Sequence, residues 1–305
     1  MWFSRYADDT NLLHVINKNN NKNASKKLNT DLKSLTHWLL ANKISLNSTK
    51  TELIFFRKKG TVIPKSKIKL SGVNLQYSSE TKYVGIIFDE HLTFESHRNV
   101  LQSKLKRANN LLSISKHYVP SEILLQIYYG QFYSHLTYGC QLWGMTDYLN
   151  SKILTQQKKA IRILASADFH AHSNPLFSEL KLLKLPDIVK LNNIIFIHNV
   201  LHNKAPTIFD NFFTFFKRQH NYNTINNPNS KYSIPKGSLE IPKTNLQIGK
   251  KSIKYACSES WNTTLKDLSK KHSILAQNEN WLKDLTITKL KKILKNNFID
   301  NYHLQ

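Results

Sequence analysis

The residues best suited to chemistry in this chain are two adjacent carboxylates, Asp8 and Asp9, which follow an aromatic and a small residue as Tyr6-Ala7-Asp8-Asp9. Apolar residues stand on both sides, Trp2 and Phe3 before and Leu12, Leu13, Val15 and Ile16 after. That pattern predicts strand, tight turn, strand, with the acids held at the turn. Carboxylates on a rigid turn are what a Mg²⁺ site for phosphoryl transfer requires, because hard cations take oxygen ligands. A two-metal site takes at least one more acid from a neighbouring strand, and residues 1–5 contain none. The expectation is a chain that carries part of a metal site and lacks a ligand to complete it.

The elements that must position these acids belong to a chain of 305 residues, long enough for two or three domains with real cores. Its 44 Lys and Arg against 20 Asp and Glu leave a formal charge of +24, more than solubility requires. Such an excess is the footprint of a partner carrying many phosphates. An anionic membrane surface is the rival explanation, but no apolar run of about eighteen residues is present to form a spanning helix. Cys140 and Cys257 have no paired metal-ligand spacing and read as buried thiols in a reducing compartment. The first residues lack a basic segment followed by an apolar core, so the chain reads as not secreted.

Periodicity gives the rest of the frame. After a polar run at residues 17–23, read as loop, Leu28, Leu32, Leu35 and Leu39 predict a helix from Ser25, with Trp38 near its apolar face and Asn42 as C-cap. Short strands are expected at residues 44–46 and 53–56, a small hairpin around Ser71-Gly72, and a single strand over residues 83–88. From about residue 95 to 117 the pattern is helical. Pro120 opens a second helix, residues 151–165 form a third, and Pro175 and Pro186 punctuate two more. Residues 217–243 read as loop, and helices return around Trp261 and Trp281. The order predicts an α+β fold: residues 1–90 as a two-layer module, residues 91–216 as a helical region, and residues 217–305 as a basic linker with C-terminal helices.

Tyr6-Ala7-Asp8-Asp9 is followed in order by Trp38-Leu39-Leu40-Ala41-Asn42-Lys43-Ile44-Ser45-Leu46-Asn47, Lys50-Thr51-Glu52, Ile54-Phe55-Phe56 and Lys82-Tyr83-Val84-Gly85-Ile86. Phe88-Asp89, Leu92-Thr93-Phe94 and His97 come next, then Ser134-His135-Leu136-Thr137-Tyr138-Gly139, Trp143-Gly144, Gln157-Lys158-Lys159-Ala160-Ile161-Arg162 and His172-Ser173-Asn174-Pro175-Leu176-Phe177. Together these segments resemble the reverse transcriptases of non-LTR (LINE-like) retrotransposons, from the middle of the polymerase palm onward, over roughly residues 1–216. The resemblance implies a partial palm with a primer-grip-like segment in residues 1–90 and a thumb-like region in residues 91–216.

It also implies an RNA-directed DNA polymerase, a nucleotidyltransferase that extends a DNA primer along an RNA template using dNTPs and Mg²⁺. Asp8 and Asp9 would then be the catalytic metal ligands, Asp8 the principal one, with Tyr6 and Ala7 beside the bound cofactor. Lys50 would protonate or pair with the leaving pyrophosphate, and Tyr83 and Gly85 would support the primer end. Fingers, the first palm carboxylate and an endonuclease domain are expected to be missing, so the chain alone is expected to be inactive. A nuclear or cytoplasmic location follows from the resemblance.

The helices carry the nucleic-acid expectation. Lys104, Lys106, Arg107, Lys116, Lys158, Lys159 and Arg162 would line one side of a duplex cleft, the lopsided sign favouring phosphate contacts over mere solvation. Tyr128, Tyr129, Phe132, Tyr133, Tyr138 and Trp143 read mostly as core. The alternative function is a basic nucleic-acid-binding remnant without chemistry, whose affinity would fall steeply with salt.

Overall fold

A computed structural model describes residues 2–6, 9–15, 21–44, 47, 50–61, 67–145, 147–216, 235, 237–245, 247–271 and 281–304. The chain divides into two compact units, residues 1–96 and 97–305, and mixes strands with helices as an α+β chain should.

In the first unit β1 (Trp2–Tyr6) pairs antiparallel with β2 (Asp9–Leu13), in a register that sets Tyr6 opposite Asp9. The helix α1 (Asn21–Ala41) begins four residues before Ser25, inside the polar run read as loop. Once a helix is nucleated, each added residue gains a hydrogen bond at little cost, so composition alone misplaces its start. Its end is as expected. Asn42 caps it, Lys43 turns left-handed at φ 57°, and the amides of Lys43 and Ile44 bond back to the carbonyls of Leu40 and Leu39.

Four short strands follow, held in two pairs. β3 (Leu53–Ile54) runs parallel to β6 (Tyr77–Ser78), and β4 (Lys69–Leu70) is antiparallel to β5 (Val73–Asn74). The strand expected at residues 53–56 stops at Ile54; of residues 44–46, Ile44 belongs to the helix cap and Ser45 and Leu46 lie outside the described residues. The β4–β5 turn is Ser71-Gly72, with both residues at positive φ, which matches the right-handed twist of paired strands. Asn29 of α1 fastens this hairpin: its amide donates to Lys67 O, and its carbonyl accepts from the Lys69 amide at 2.8 Å. Leu32, Ile68 and Leu70 form the buried cluster there, with Leu12, Leu28, Leu53 and Leu75 packed around it.

Residues 83–88 depart from expectation. They are two strands, β7 (Glu80–Tyr83) and β8 (Ile86–Asp89), joined at Val84-Gly85. Gly85 sits at φ 79° and Val84 at φ 45°, so the chain reverses within what reads as one apolar run. Glycine adopts that backbone freely, whereas a β-branched residue does so at a cost.

The second unit is helical. Within it lie most of α2 (Glu95–Ser115), then α3 (Ser121–Ile127), a π-helical turn at Tyr128–Tyr133, α4 (Ser134–Thr137), α5 (Cys140–Trp143), α6 (Asp147–Leu164) and α7 (Ser173–Glu179). α8 (Leu185–Leu201) is apolar on nearly every side and is accordingly central, packing against α4, α5 and α6. α9 (Gln247–Lys250), α10 (Ile253–Lys271), α11 (Trp281–Asp284) and α12 (Ile287–Asp300) complete the unit, with α10 and α12 also laid on α8. No helix among the described residues is long and apolar enough to cross a membrane.

Candidate nucleic-acid interface

The carboxylate turn is closed by the Tyr6–Asp9 pair, which brings the Asp9 backbone to the tip of the β1–β2 hairpin. Ala7 and Asp8 lie outside the described residues. Lys50 is exposed in a local turn, where its amide bonds Asn47 O at 3.1 Å. Tyr83, half-buried, and Gly85, exposed, flank and form the β7–β8 turn. Among the described residues no group of three or more His, Cys, Asp or Glu is placed to hold a metal ion.

Immediately after β8, Asp89 organises the loop that leads into α2. Its carboxylate accepts from the amides of His91 (3.0 Å), Thr93 (3.0 Å) and Phe94 (2.6 Å) and from the Thr93 hydroxyl (3.1 Å). Burial alone would raise the Asp89 pKa, but these four hydrogen bonds to the charged form outweigh it and hold the carboxyl below its ordinary value. Beside it Arg57 donates two hydrogen bonds to one Glu90 oxygen, at 3.1 and 2.8 Å, and His91 Nδ1 lies 2.9 Å from Arg57 O. In the Phe88-Asp89…Thr93-Phe94 segment, then, Asp89 is spent on folding the chain.

The basic residues divide. On α2 Lys104 and Arg107 are exposed along one flank. Lys106, also exposed, is two positions from Lys104 and therefore about 200° around the axis, so the three do not share a face. On α6, Lys158, Lys159 and Arg162 fall within one sector, opposite the buried Ile153, Gln157 and Ile161. Arg162 is partly engaged: its Nε donates to Ala171 O at 2.8 Å. The two helices are tied by Asn109, whose amide reaches Gln156 O at 3.0 Å.

Lys104 and Arg107 border a surface pocket of about 330 Å³, lined further by Ala108 and Leu111 of α2, Gln131 of the π-helical turn and His135 of α4. Burial lowers the His135 pKa, and the neighbouring Lys104 and Arg107 charges lower it further. No acid lines the pocket, and neither cation forms an ion pair with a described residue. The π-helical turn has its own cause. Tyr128, Tyr129, Phe132 and Tyr133 crowd into six residues with only Gly130 and Gln131 between, Tyr128 stacked on Phe132 at 5.4 Å and Tyr129 edge-on to Tyr133 at 5.4 Å. A wider turn accommodates these rings, and such turns recur at functional sites. Gln131 and His135 carried no sequence signal of their own, because the pocket depends on two helices far apart in the chain.

Several residues that carry the resemblance are structural. Trp143 is fully buried; its indole donates to Tyr138 O at 2.9 Å, and its own carbonyl accepts from Arg98 at 3.0 Å. Gly139 makes the left-handed break before α5 at φ 59°. A Cβ on Gly144 would lie 2.6 Å from Val189 Cγ2, so glycine is what lets α5 rest on α8. Gln157, fully buried, donates to Leu183 O and accepts from the Leu185 amide, both at 2.8 Å, and so fixes the start of α8. Cys140 and Cys257 are buried free thiols, each pushed up to about 12 chiefly by burial.

Comparison with known proteins bears on this arrangement. The chain is similar to the probable RNA-directed DNA polymerase from transposon X-element of Drosophila melanogaster, 27% identical over 157 residues, which are 50% of this chain and 17% of that protein. It is similar to the probable RNA-directed DNA polymerase from transposon BS of the same species, 28% identical over 189 residues, 58% of this chain and 20% of the relative. To the RNA-directed DNA polymerase from mobile element jockey of Drosophila funebris it is 26% identical over 192 residues, 61% of this chain and 20% of the relative. The aligned stretches are thus 17–20% of these relatives, so the chain spans a small part of their length. No protein-family model matches the chain, and no solved structure matches it.

Proposed function

We propose that this chain supplies the palm hairpin, the primer-grip-like segment and the thumb-like helices of an RNA-directed DNA polymerase of a non-LTR retrotransposon. The observation that carries this reading is its similarity to three RNA-directed DNA polymerases of mobile elements over half to three-fifths of its length. The β1–β2 hairpin supports it, since the Tyr6–Asp9 register brings Asp9 to the hairpin tip. Oxygen donors on such a turn suit a hard divalent cation, and Asp8 and Asp9 would hold Mg²⁺. When bound, that ion supplies charge neutralisation for the dNTP triphosphate and for the attacking 3′-hydroxyl.

The chain's own residues do the rest by position. Tyr6 and Ala7 flank the metal turn, Lys50 offers an exposed ammonium to the leaving pyrophosphate, and the turn at Val84-Gly85 beside Tyr83 supports the primer end. Lys104, Lys106, Arg107, Lys158, Lys159 and Arg162 contact template and primer phosphates. The aligned part is about a fifth of each relative, so in this reading synthesis needs more of the enzyme than these residues.

The test is Mg²⁺-dependent dNTP incorporation on an RNA template with a DNA primer. The chain alone is expected to give none, and the X-element polymerase carrying this chain in place of its matched segment is expected to give incorporation that disappears in Asp8→Ala and Asp9→Ala. A chimera whose activity ignores both substitutions would sink the metal-site assignment. Incorporation by the chain alone, abolished by Asp8→Ala, would overturn its inactivity. The second reading, a binding protein without chemistry, is favoured by one observation: Lys104 and Arg107 lack an acidic partner among the described residues.

A further inference from the structure

We infer that the pocket formed by Lys104 and Arg107 of α2, Gln131 of the π-helical turn and His135 of α4 holds one backbone phosphate of a nucleic-acid strand. This rests on the polymerase reading for the identity of the strand and adds the place of the contact and its coupling to protons. Two permanent cations and an imidazole line one concavity that contains no carboxylate. Left to itself the cluster is unfavourable, because like charges meet without a counter-charge. An anion relieves it. Arg presents paired N–H donors suited to phosphate oxygens, Lys adds a point charge, and the Gln131 amide adds neutral donors. Ala108 and Leu111 form an apolar wall on the α2 side, which lowers the local dielectric and strengthens each contact.

His135 makes the site responsive to pH. The charged groups that face it are Lys104 and Arg107, both from α2, and its own helix and the π-helical turn add no titratable group to the pocket. In the free protein these cations and burial keep the imidazole neutral near pH 7. A phosphate in the pocket reverses the sign of the local field, so the imidazole takes up a proton on binding. By linkage, affinity then falls as pH rises through the window between the free and bound pKa, by up to about tenfold per pH unit.

Fluorescence anisotropy of a labelled oligothymidylate and of a labelled RNA–DNA primer-template, titrated with the full chain at several salt concentrations, tests the inference. The double variant K104A/R107A is expected to weaken binding at least about tenfold and to flatten the dependence of log affinity on log salt by about one to two. His135→Gln is expected to keep binding at about pH 8 while losing most of the gain at about pH 6. Lys270→Ala, exposed on α10, is expected to leave the pH response untouched. Binding that is strong, salt-dependent and indifferent to K104A/R107A overturns the pocket while leaving the polymerase reading in place. Absence of binding to either probe at roughly physiological salt overturns both. Inorganic phosphate or pyrophosphate that shifts the His135 ring signals in NMR and competes as well per phosphate as the oligonucleotide would assign the pocket to a free anion and overturn the strand.

Discussion

The two units of the molecule solve the same problem with different means. The second buries Trp143, Trp261, Tyr128, Phe132 and Phe177 almost completely and fixes its helix junctions with buried polar side chains such as Gln157. At its C-terminal end Tyr302 donates to Asp187 at 2.6 Å and accepts from the Lys184 amide at 2.9 Å, joining the last turn of chain to the start of α8. The first unit has a three-residue buried cluster, Leu32, Ile68 and Leu70, and strand pairs only two to five residues long. Its order comes from turns and caps: the Schellman end of α1, the Asn29 clamp, the Asp89 loop. Apolar burial scales with area and resists single changes poorly only where a large side chain is lost. Turns instead concentrate their stability in one or two hydrogen-bonding groups. The sequence-derived catalytic expectations fall in the first unit, and the phosphate pocket falls in the second.

That contrast can be broken most forcefully at Trp143. Trp143→Ala is expected to destabilise the second unit by about 3–5 kcal/mol, because it empties a fully enclosed volume and strands the Arg98 side chain and Tyr138 carbonyl. Thermal unfolding of the full chain measures it, and a loss under about 1 kcal/mol would mean the core refills easily. Asp89→Ala comes next, at about 1–3 kcal/mol, since the amides of His91, Thr93 and Phe94 lose their acceptor. Asp89 titrates below its ordinary value in the folded chain, so its contribution is present above the ordinary carboxylate pKa and is lost as pH falls through the folded one. Hydrogen exchange at the Thr93 and Phe94 amides should accelerate in the variant, and in the native chain on acidification after correction for intrinsic rates. The smallest effect is a gain: Val84→Asn makes the turn Asn-Gly and should stabilise the β7–β8 hairpin by about 1 kcal/mol. An unchanged exchange rate across Glu80–Tyr83 would show that the strain at Val84 is offset by its other contacts.

The long periodic elements were legible. α1 and α2 follow from leucines three and four apart, and the Ser71-Gly72 hairpin from a turn pair between apolar residues. The β7–β8 reversal was not, because valine is a poor left-handed residue and Tyr83-Val84-Gly85-Ile86 reads as continuous strand. The π-helical turn was hidden for another reason: its aromatic spacing fits an ordinary helix nearly as well, and only the crowding of rings distinguishes the two. Asp89 carried a readable local signal, an acid four residues before a threonine, yet its hydrogen bonds need the exact path of the loop. Of the basic residues, Lys104 and Arg107 were visible by charge. That Lys106 points elsewhere follows from helical geometry, and that His135 joins the pair follows only from tertiary packing.

The wide turn at Tyr128–Tyr133 also acts as a phase setter for everything after it. Each residue of an α-helix advances the chain by about 100°. Removing Gly130, with nothing within 4 Å of where its Cβ would lie, costs little packing at that point. It would nevertheless let the segment relax to an ordinary helix and rotate His135 and Leu136 by about one residue's worth of angle. The imidazole would leave Lys104 and Arg107, and Leu136 would leave the core. A lineage of such chains could therefore gain or lose the anion pocket through a single-codon length change, with no substitution at any residue that lines it.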